Sequence, residues 1–307
     1  MNNKVVIVGC GNVGMSYAYS LINQNTVVTE LVLVDIAKEK TEGEAMDLSH
    51  GIPFAPSKIK IRTGSYDECR DAKIVCICAG ANQNPGETRL ELIKRNYNLF
   101  KVLIPNIMKS GFNGIFIVAT NPVDAMSYFT YKLSGLPHNK VIGSGTSLDT
   151  SRLRFLISDK LGINPKNIHA YVLGEHGDSE FIPWCNASIG LKSIYQFLKQ
   201  RELDELSENV KNVAYEIIKR KKVTNYGIGM CLSYITNAIL KDENSIICVS
   251  TYDEKNNIYI SMPCILNING IKNKVSFPLS YEENKKLNNS INIIKYAINK
   301  IEAEENN

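Results

Sequence analysis

Short apolar runs recur through the first half of the chain, separated by polar and helix-compatible stretches. Val5-Val6-Ile7-Val8, Leu31-Val32-Leu33-Val34, Ile59–Ile61, Ile74–Ala79, Ile115–Ala119 and Val141-Ile142 are the clearest of them, and most are continuous rather than alternating. Continuous runs of this length suit strands covered on both faces, as in a parallel sheet. Helical stretches lie between them, with Glu87–Ser110 the longest. This alternation predicts an α/β fold with a doubly wound parallel sheet. The pattern changes after Gly143-Ser144-Gly145-Thr146. A helix through Leu161 leads to a strand-like Asn167–Leu173, and helices follow at 204–222 and 225–241. Residues 245–275 are β-rich, with hairpin signals at Asp253–Asn257 and Asn269-Gly270. An amphipathic helix over Tyr281–Glu302 precedes an acidic tail. Two units are expected: a doubly wound one over residues 1–144 and a mixed α+β one over 145–307.

The first apolar run ends in Gly9-Cys10-Gly11-Asn12-Val13-Gly14, and a helix-compatible segment continues to about Asn23. Between a strand and a helix these glycines have mechanical roles. Gly9 permits the tight turn, Gly11 lets a pyrophosphate approach the backbone, and Gly14 lets helix and strand pack closely. The N–H groups around Asn12 and Val13, at the helix start, face the phosphates. The second run ends in Asp35, where a carboxylate accepts from a ribose 2′-OH and repels a 2′-phosphate. NAD is therefore expected over NADP, in a Rossmann unit. A glycine-rich turn alone would carry little weight; strand, helix and terminal acid in order carry much more.

Composition adds exclusions. With 44% hydrophobic and 21% charged residues, the chain is ordinary globular material. The net charge of +4 is small, and lysines interleave with acids, as in Lys38-Glu39-Lys40, so neither nucleic acid nor a membrane surface is an expected partner. The cysteines at 10, 69, 76, 78, 185, 231, 248 and 264 form no CxxC pair, and several lie in apolar runs. They read as buried thiols of a reducing compartment. No two of the four histidines have zinc-ligand spacing, so no metal is expected. The amino terminus has no signal-sequence pattern and no segment reaches transmembrane length, which predicts a soluble cytoplasmic protein.

Candidate chemistry gathers in three places. Gly174-Glu175-His176-Gly177-Asp178-Ser179 offers a histidine that a ligand can approach closely. Leu148-Asp149-Thr150-Ser151-Arg152 places an acid and an arginine near one helix face, one to orient an imidazole and one to hold an anion. Ala79–Arg89, rich in glycine and amides, leaves the carboxyl end of a strand, where ligands of such sheets bind, and carries Arg89. Taken singly, each has a bland alternative: a surface turn, a helix ion pair and a solvated loop.

In register with the glycine turn, Asp35 and Thr120-Asn121-Pro122-Val123-Asp124, these motifs resemble the lactate/malate dehydrogenase family over essentially the whole chain. The resemblance implies that His176 donates and accepts the proton and that Asp149 orients its imidazolium. It implies too that Arg152 grips the substrate carboxylate, that Arg89 polarises the reacting carbonyl, and that Asn121 lines the site beside a cis proline bond. Malate-acting relatives place an arginine where Gln83 stands. A neutral amide there leaves a second substrate carboxylate unpaired, which favours a monocarboxylate such as pyruvate. Thr224 is expected to bound the methyl pocket, although relatives often have glycine at the position of Lys222 just before it. Arg154 and His169 match the positions at which bacterial relatives bind fructose 1,6-bisphosphate across a subunit interface, which implies an activated homotetramer. With the first strand starting near Met1, the amino-terminal arm of animal relatives is not expected.

Malate dehydrogenase is the nearest alternative, separated mainly by Gln83. A short-chain dehydrogenase would use a Tyr-x-x-x-Lys pair such as Tyr128/Lys132, but Tyr97/Lys101, Tyr195/Lys199 and Tyr281/Lys285 share that spacing in this lysine-rich chain. A regulatory NAD-sensing module without turnover would need none of His176, Asp149, Arg152 and Arg89.

Overall fold

The computed structural model describes residues 2–81 and 86–305. The first half runs β1 (Lys4–Val8), α1 (Asn12–Ile22), β2 (Glu30–Val34), α2 (Lys38–Gly51), β3 (Lys60–Thr63), β4 (Ile74–Ile77), α3 (Arg89–Lys109), β5 (Ile115–Val118), α4 (Val123–Ser134) and β6 (Val141–Gly143). The second runs α5 (Ser147–Leu161), β7 (Ile168–His169), β8 (Ser188–Ile189), β9 (Lys192–Ser193), α6 (Gln200–Lys221), α7 (Tyr226–Leu240), β10 (Ser245–Asp253), β11 (Ile258–Asn267), β12 (Gly270–Lys274) and α8 (Tyr281–Glu305). Strands β1 to β6 pair in parallel in the order 6-5-4-1-2-3, the doubly wound arrangement that the apolar runs predict.

Alternate residues of β1 enter opposite layers, as the pleat requires. Val5 and Ile7 pack with Tyr17 and Leu21 of α1 and Leu232 and Ile235 of α7. Val6 and Val8 pack with Phe100 and Leu103 of α3 and Ile294 and Ile298 of α8. Helices from the second half thus cover both faces of the first half's sheet. The sheet itself also crosses residue 144: β10 joins β6 antiparallel through Ser250 and Gly143, and β11 and β12 extend it to nine strands. The β-rich tract therefore enlarges the first sheet rather than building one of its own. A separate core forms around Leu153, Ile157, Ile168, Trp184 and Leu203.

Two local expectations need adjustment. The strand over Asn167–Leu173 shrinks to Ile168–His169, and α6 starts at Gln200 rather than 204. Helix α2 buries only Thr41 and Ala45, so it has no apolar stripe to reveal it. Lys222 ends α6 in the left-handed region, φ 70°, with its N–H on the Ile218 carbonyl at 2.8 Å. That conformation is the reason glycine suits this position. Lys222→Gly should therefore stabilise the protein by about 1 kcal/mol, less the entropy that glycine gains on unfolding, read as a higher urea midpoint. Among the described residues no helix is long and apolar enough to cross a membrane.

Candidate active site

The dinucleotide side is built first, at the carboxyl end of β1. Gly9 has φ +99°, and a Cβ on it would lie 2.2 Å from the Ala79 nitrogen after β4. A Cβ on Gly14 would lie 2.1 Å from the Gly9 carbonyl oxygen, so turn and helix touch backbone to backbone. At Gly11 nothing lies within 4 Å of that position, leaving the start of α1 open to a ligand. Asn12 is exposed and Val13 half-buried beside it. Asp35 holds the turn as well as facing it: its carboxylate accepts from the Cys10 N–H at 2.6 Å and the Ala37 N–H at 2.9 Å. These residues fit a dinucleotide pyrophosphate and ribose.

Helix α5 and the loop after β7 meet at the chemistry. Asp149 and His176 lie together, Oδ2 to Nδ1 at 2.6 Å, while Arg152 Nη1 donates to the other carboxylate oxygen at 2.7 Å. The Asp149 side chain is 3% exposed and Arg152 13%. Burial would push the imidazole toward its neutral form, but the Asp149 charge and hydrogen bond outweigh it, aided by Glu180 and Asp124, and hold its pKa at about 9. For Asp149, burial raises and the His176 and Arg152 charges lower, and the charges win. The result is an imidazolium at neutral pH beside a fixed arginine.

Arg89 opens α3, whose start is fixed by a capping box between Thr88 and Glu91. Its Nη2 donates to the His176 carbonyl at 3.1 Å and pairs with Glu175 at 2.7 Å. Asn121 precedes a cis bond to Pro122, and its carbonyl accepts from Asn96 Nδ2 at 2.7 Å. Thr224 is half-buried between α6 and α7, where a Cβ on Gly227 would sit 3.0 Å from Leu148 at the start of α5. No hydrogen bond joins Thr224 to the His176 cluster among the described residues. Gln83 lies outside the described residues. Arg154 turns away from Arg152: its Nε donates to the Ala170 carbonyl at 3.1 Å and its guanidinium covers the Tyr171 ring at 4.8 Å. Exposed His169, on β7, is the residue before Ala170, whose carbonyl Arg154 binds.

Several residues that assemble this site have no spacing signal. Asp124, 2% exposed, accepts from the His176 N–H at 2.8 Å and from Ser250 at 2.6 Å. Burial pushes its carboxyl up to about 6, against the hydrogen bonds from Ser250 and His176. Asn96, fully buried in α3, accepts from the Ala81 N–H at 2.8 Å and so ties that strand exit to Asn121. Glu180 is 5% exposed, and its carboxylate approaches Asp149 and His176, with one ligand atom of each within 4.8 Å of the others. Burial, then the Asp149 charge, raise its pKa to about 8. Tyr215 of α6 donates to Asp178 at 2.9 Å, joining that helix to the histidine loop.

A glycine turn open to a dinucleotide at one end of a parallel sheet, together with half-buried His176 bonded to buried Asp149 and two arginines, defines the class of nicotinamide-dependent dehydrogenases. The lactate/malate dehydrogenase NAD binding domain matches residues 3–143, and the alpha/beta C-terminal domain of the same family matches residues 146–305. The chain belongs to the lactate/malate dehydrogenase family, and its cofactor is NAD. L-lactate dehydrogenase 2 of Bacillus cereus (strain ZK / E33L) is 49% identical over 303 residues, which is 95% of this chain and 96% of that one. MGS-M5, a lactate dehydrogenase from a Medee basin deep-sea metagenome library, superposes with a TM-score of 0.95 at 50% identity, covering 98% of this chain and 99% of its own. The minor L-lactate dehydrogenase of Enterococcus mundtii gives 0.95 in its ligands-bound form, at 42% identity over 97% of this chain and 98% of its own.

Proposed function

We propose that the chain is an L-lactate dehydrogenase interconverting pyruvate and L-lactate, with residues 1–144 holding the coenzyme and residues 145–307 the substrate. The observation that carries this is the couple of Asp149 and His176 at 2.6 Å with Arg152 on the same carboxylate. Bound NADH supplies the hydride. Arg152 holds the substrate carboxylate with the part of its fork not used on Asp149. Arg89 donates to the carbonyl oxygen as charge develops there, and His176 protonates that oxygen through Nε2 while Asp149 stabilises the ring at Nδ1. Asp35 favours NAD through the ribose, with Gly9, Gly11 and Gly14 shaping the phosphate site. Asn121 and Thr224 line the substrate side.

The choice of a monocarboxylate rests on neutral Gln83 and on the lactate dehydrogenase names of the relatives. Activation by fructose 1,6-bisphosphate in a cytoplasmic homotetramer rests on two cationic positions, half-buried Arg154 of α5 and exposed His169 of β7. NADH oxidation is expected to be much faster with pyruvate than with oxaloacetate, and the bisphosphate is expected to lower the pyruvate KM. Preference for oxaloacetate would make the chain a malate dehydrogenase. A flat response to bisphosphate at neutral pH would remove the effector, and binding of NADH without turnover would leave a sensing module.

A further inference from the structure

Arg89 rests on three consecutive residues of the histidine loop, and we propose that the first of them, Glu175, is the positioning residue that fixes Arg89 beside the reacting carbonyl. This role rests on the dehydrogenase reading above. The loop is anchored before Glu175, because Gly174 exchanges both backbone hydrogen bonds with Ser261 of β11, at 3.1 and 3.0 Å. Glu175 itself is 3% exposed and has both carboxylate oxygens engaged. One meets Arg89 Nη2 at 2.7 Å; the other accepts from the Ser179 hydroxyl, which Ser290 of α8 supports at 3.1 Å. The carboxylate is therefore immobile, and burial makes loss of its cation costly. That cost holds the arginine down.

The next two residues complete the cradle. His176 offers its carbonyl to the same Nη2, at 3.1 Å. Gly177 provides the floor: a Cβ there would lie 2.4 Å from Nη1 and 2.9 Å from Nη2, so only glycine leaves room for the guanidinium. Among the described residues, protein acceptors thus use Nη2 alone. Nε and Nη1 have no protein hydrogen bond among the described residues, although the side chain is 40% exposed. A guanidinium has five N–H donors, so the contact with Glu175 leaves an edge for a substrate oxygen. Without Glu175 the side chain regains its rotamers and must be ordered in every turnover. A donor already in place stabilises developing charge without reorganisation.

Glu175→Gln keeps an acceptor for Arg89 but removes the charge. It should lower kcat for pyruvate by roughly 10- to 100-fold and shift KM by no more than about 3-fold, since the substrate carboxylate sits on Arg152. The deuterium isotope effect with deuterated NADH should rise as hydride transfer becomes limiting. Gly177→Ala should produce the same split by displacing the far end of Arg89, with no positive φ to strain the backbone. In an Arg89→Gln background both substitutions should change kcat by less than about 2-fold, because residues acting through one group are not additive. If their effects instead multiply in that background, or if Glu175→Gln keeps the wild-type rate, Glu175 is not acting through Arg89. Absence of wild-type turnover with every 2-keto acid would overturn the dehydrogenase reading and this role together.

Discussion

Asp149→Asn is expected to lower keto-acid reduction at neutral pH by about three orders of magnitude, the upper range for loss of a well-placed acid-base couple. Two effects combine. The amide presents its NH2 or its oxygen to Nδ1 without charge, so the tautomer and orientation of His176 are no longer enforced. The imidazole also loses the charge that holds its pKa at about 9 against burial, and should fall to the ordinary 6.5 or below. Reduction needs the protonated ring. The wild-type rate should therefore persist up to about pH 9 and decline above it, whereas the variant should decline above about pH 6.5. Profiles of kcat/KM from pH 5.5 to 10 decide the matter, and an alkaline limb that stays near 9 in the variant would refute the coupling. Stability follows the same linkage. A pKa raised on folding contributes stability fully present below about 6.5, and that contribution is lost as pH rises through about 9. The thermal midpoint of the variant should lack this part of the pH dependence.

Arg152→Lys should act on binding more than on chemistry. The guanidinium divides its donors, with Nη1 on Asp149 and the rest of the fork available to a carboxylate. A single ammonium cannot keep two parallel hydrogen bonds to the substrate and also hold Asp149 at 2.7 Å. The loss of a hydrogen-bonded charge pair in a site this enclosed is roughly 2–4 kcal/mol, so the pyruvate KM should rise about 30- to 1000-fold. A smaller fall in kcat should accompany it, because Asp149 loses one of its two anchors. Initial rates across a pyruvate titration measure both, and unchanged kinetics would remove Arg152 from the carboxylate site.

The legible parts of this fold are those where sequence neighbours act together. The parallel strands show as continuous apolar runs because both of their faces are buried, and the glycine turn shows because strand, turn, helix and acid are consecutive. The pairing of Asp149 with Arg152 follows from one turn of helix. By contrast, Asp124 reaches the His176 backbone from a different element, and Asn96 reaches both Ala81 and Asn121 from the middle of α3. No periodicity marks such contacts; a buried polar residue on an apolar helix face is the only hint. Glu175 and Glu180 stood within the quoted motif or beside it, but their burial depends on β11, α6 and α8 packing over them. Strands β10 to β12 were visible as strands while their partner was not, since pairing between distant strands leaves no local trace.

The join between β6 and β10 has a consequence for how the chain must be made. Gly143 meets its partner only when Ser250 has left the ribosome, and α8, which covers one face of the sheet, emerges later still. Until then the nascent nucleotide-binding half carries an open strand edge and uncovered apolar faces, conditions that favour association with other unfinished chains. Cutting the gene after residue 144 should therefore yield insoluble material rather than a portable NAD-binding module, and coexpressing the missing half should restore it.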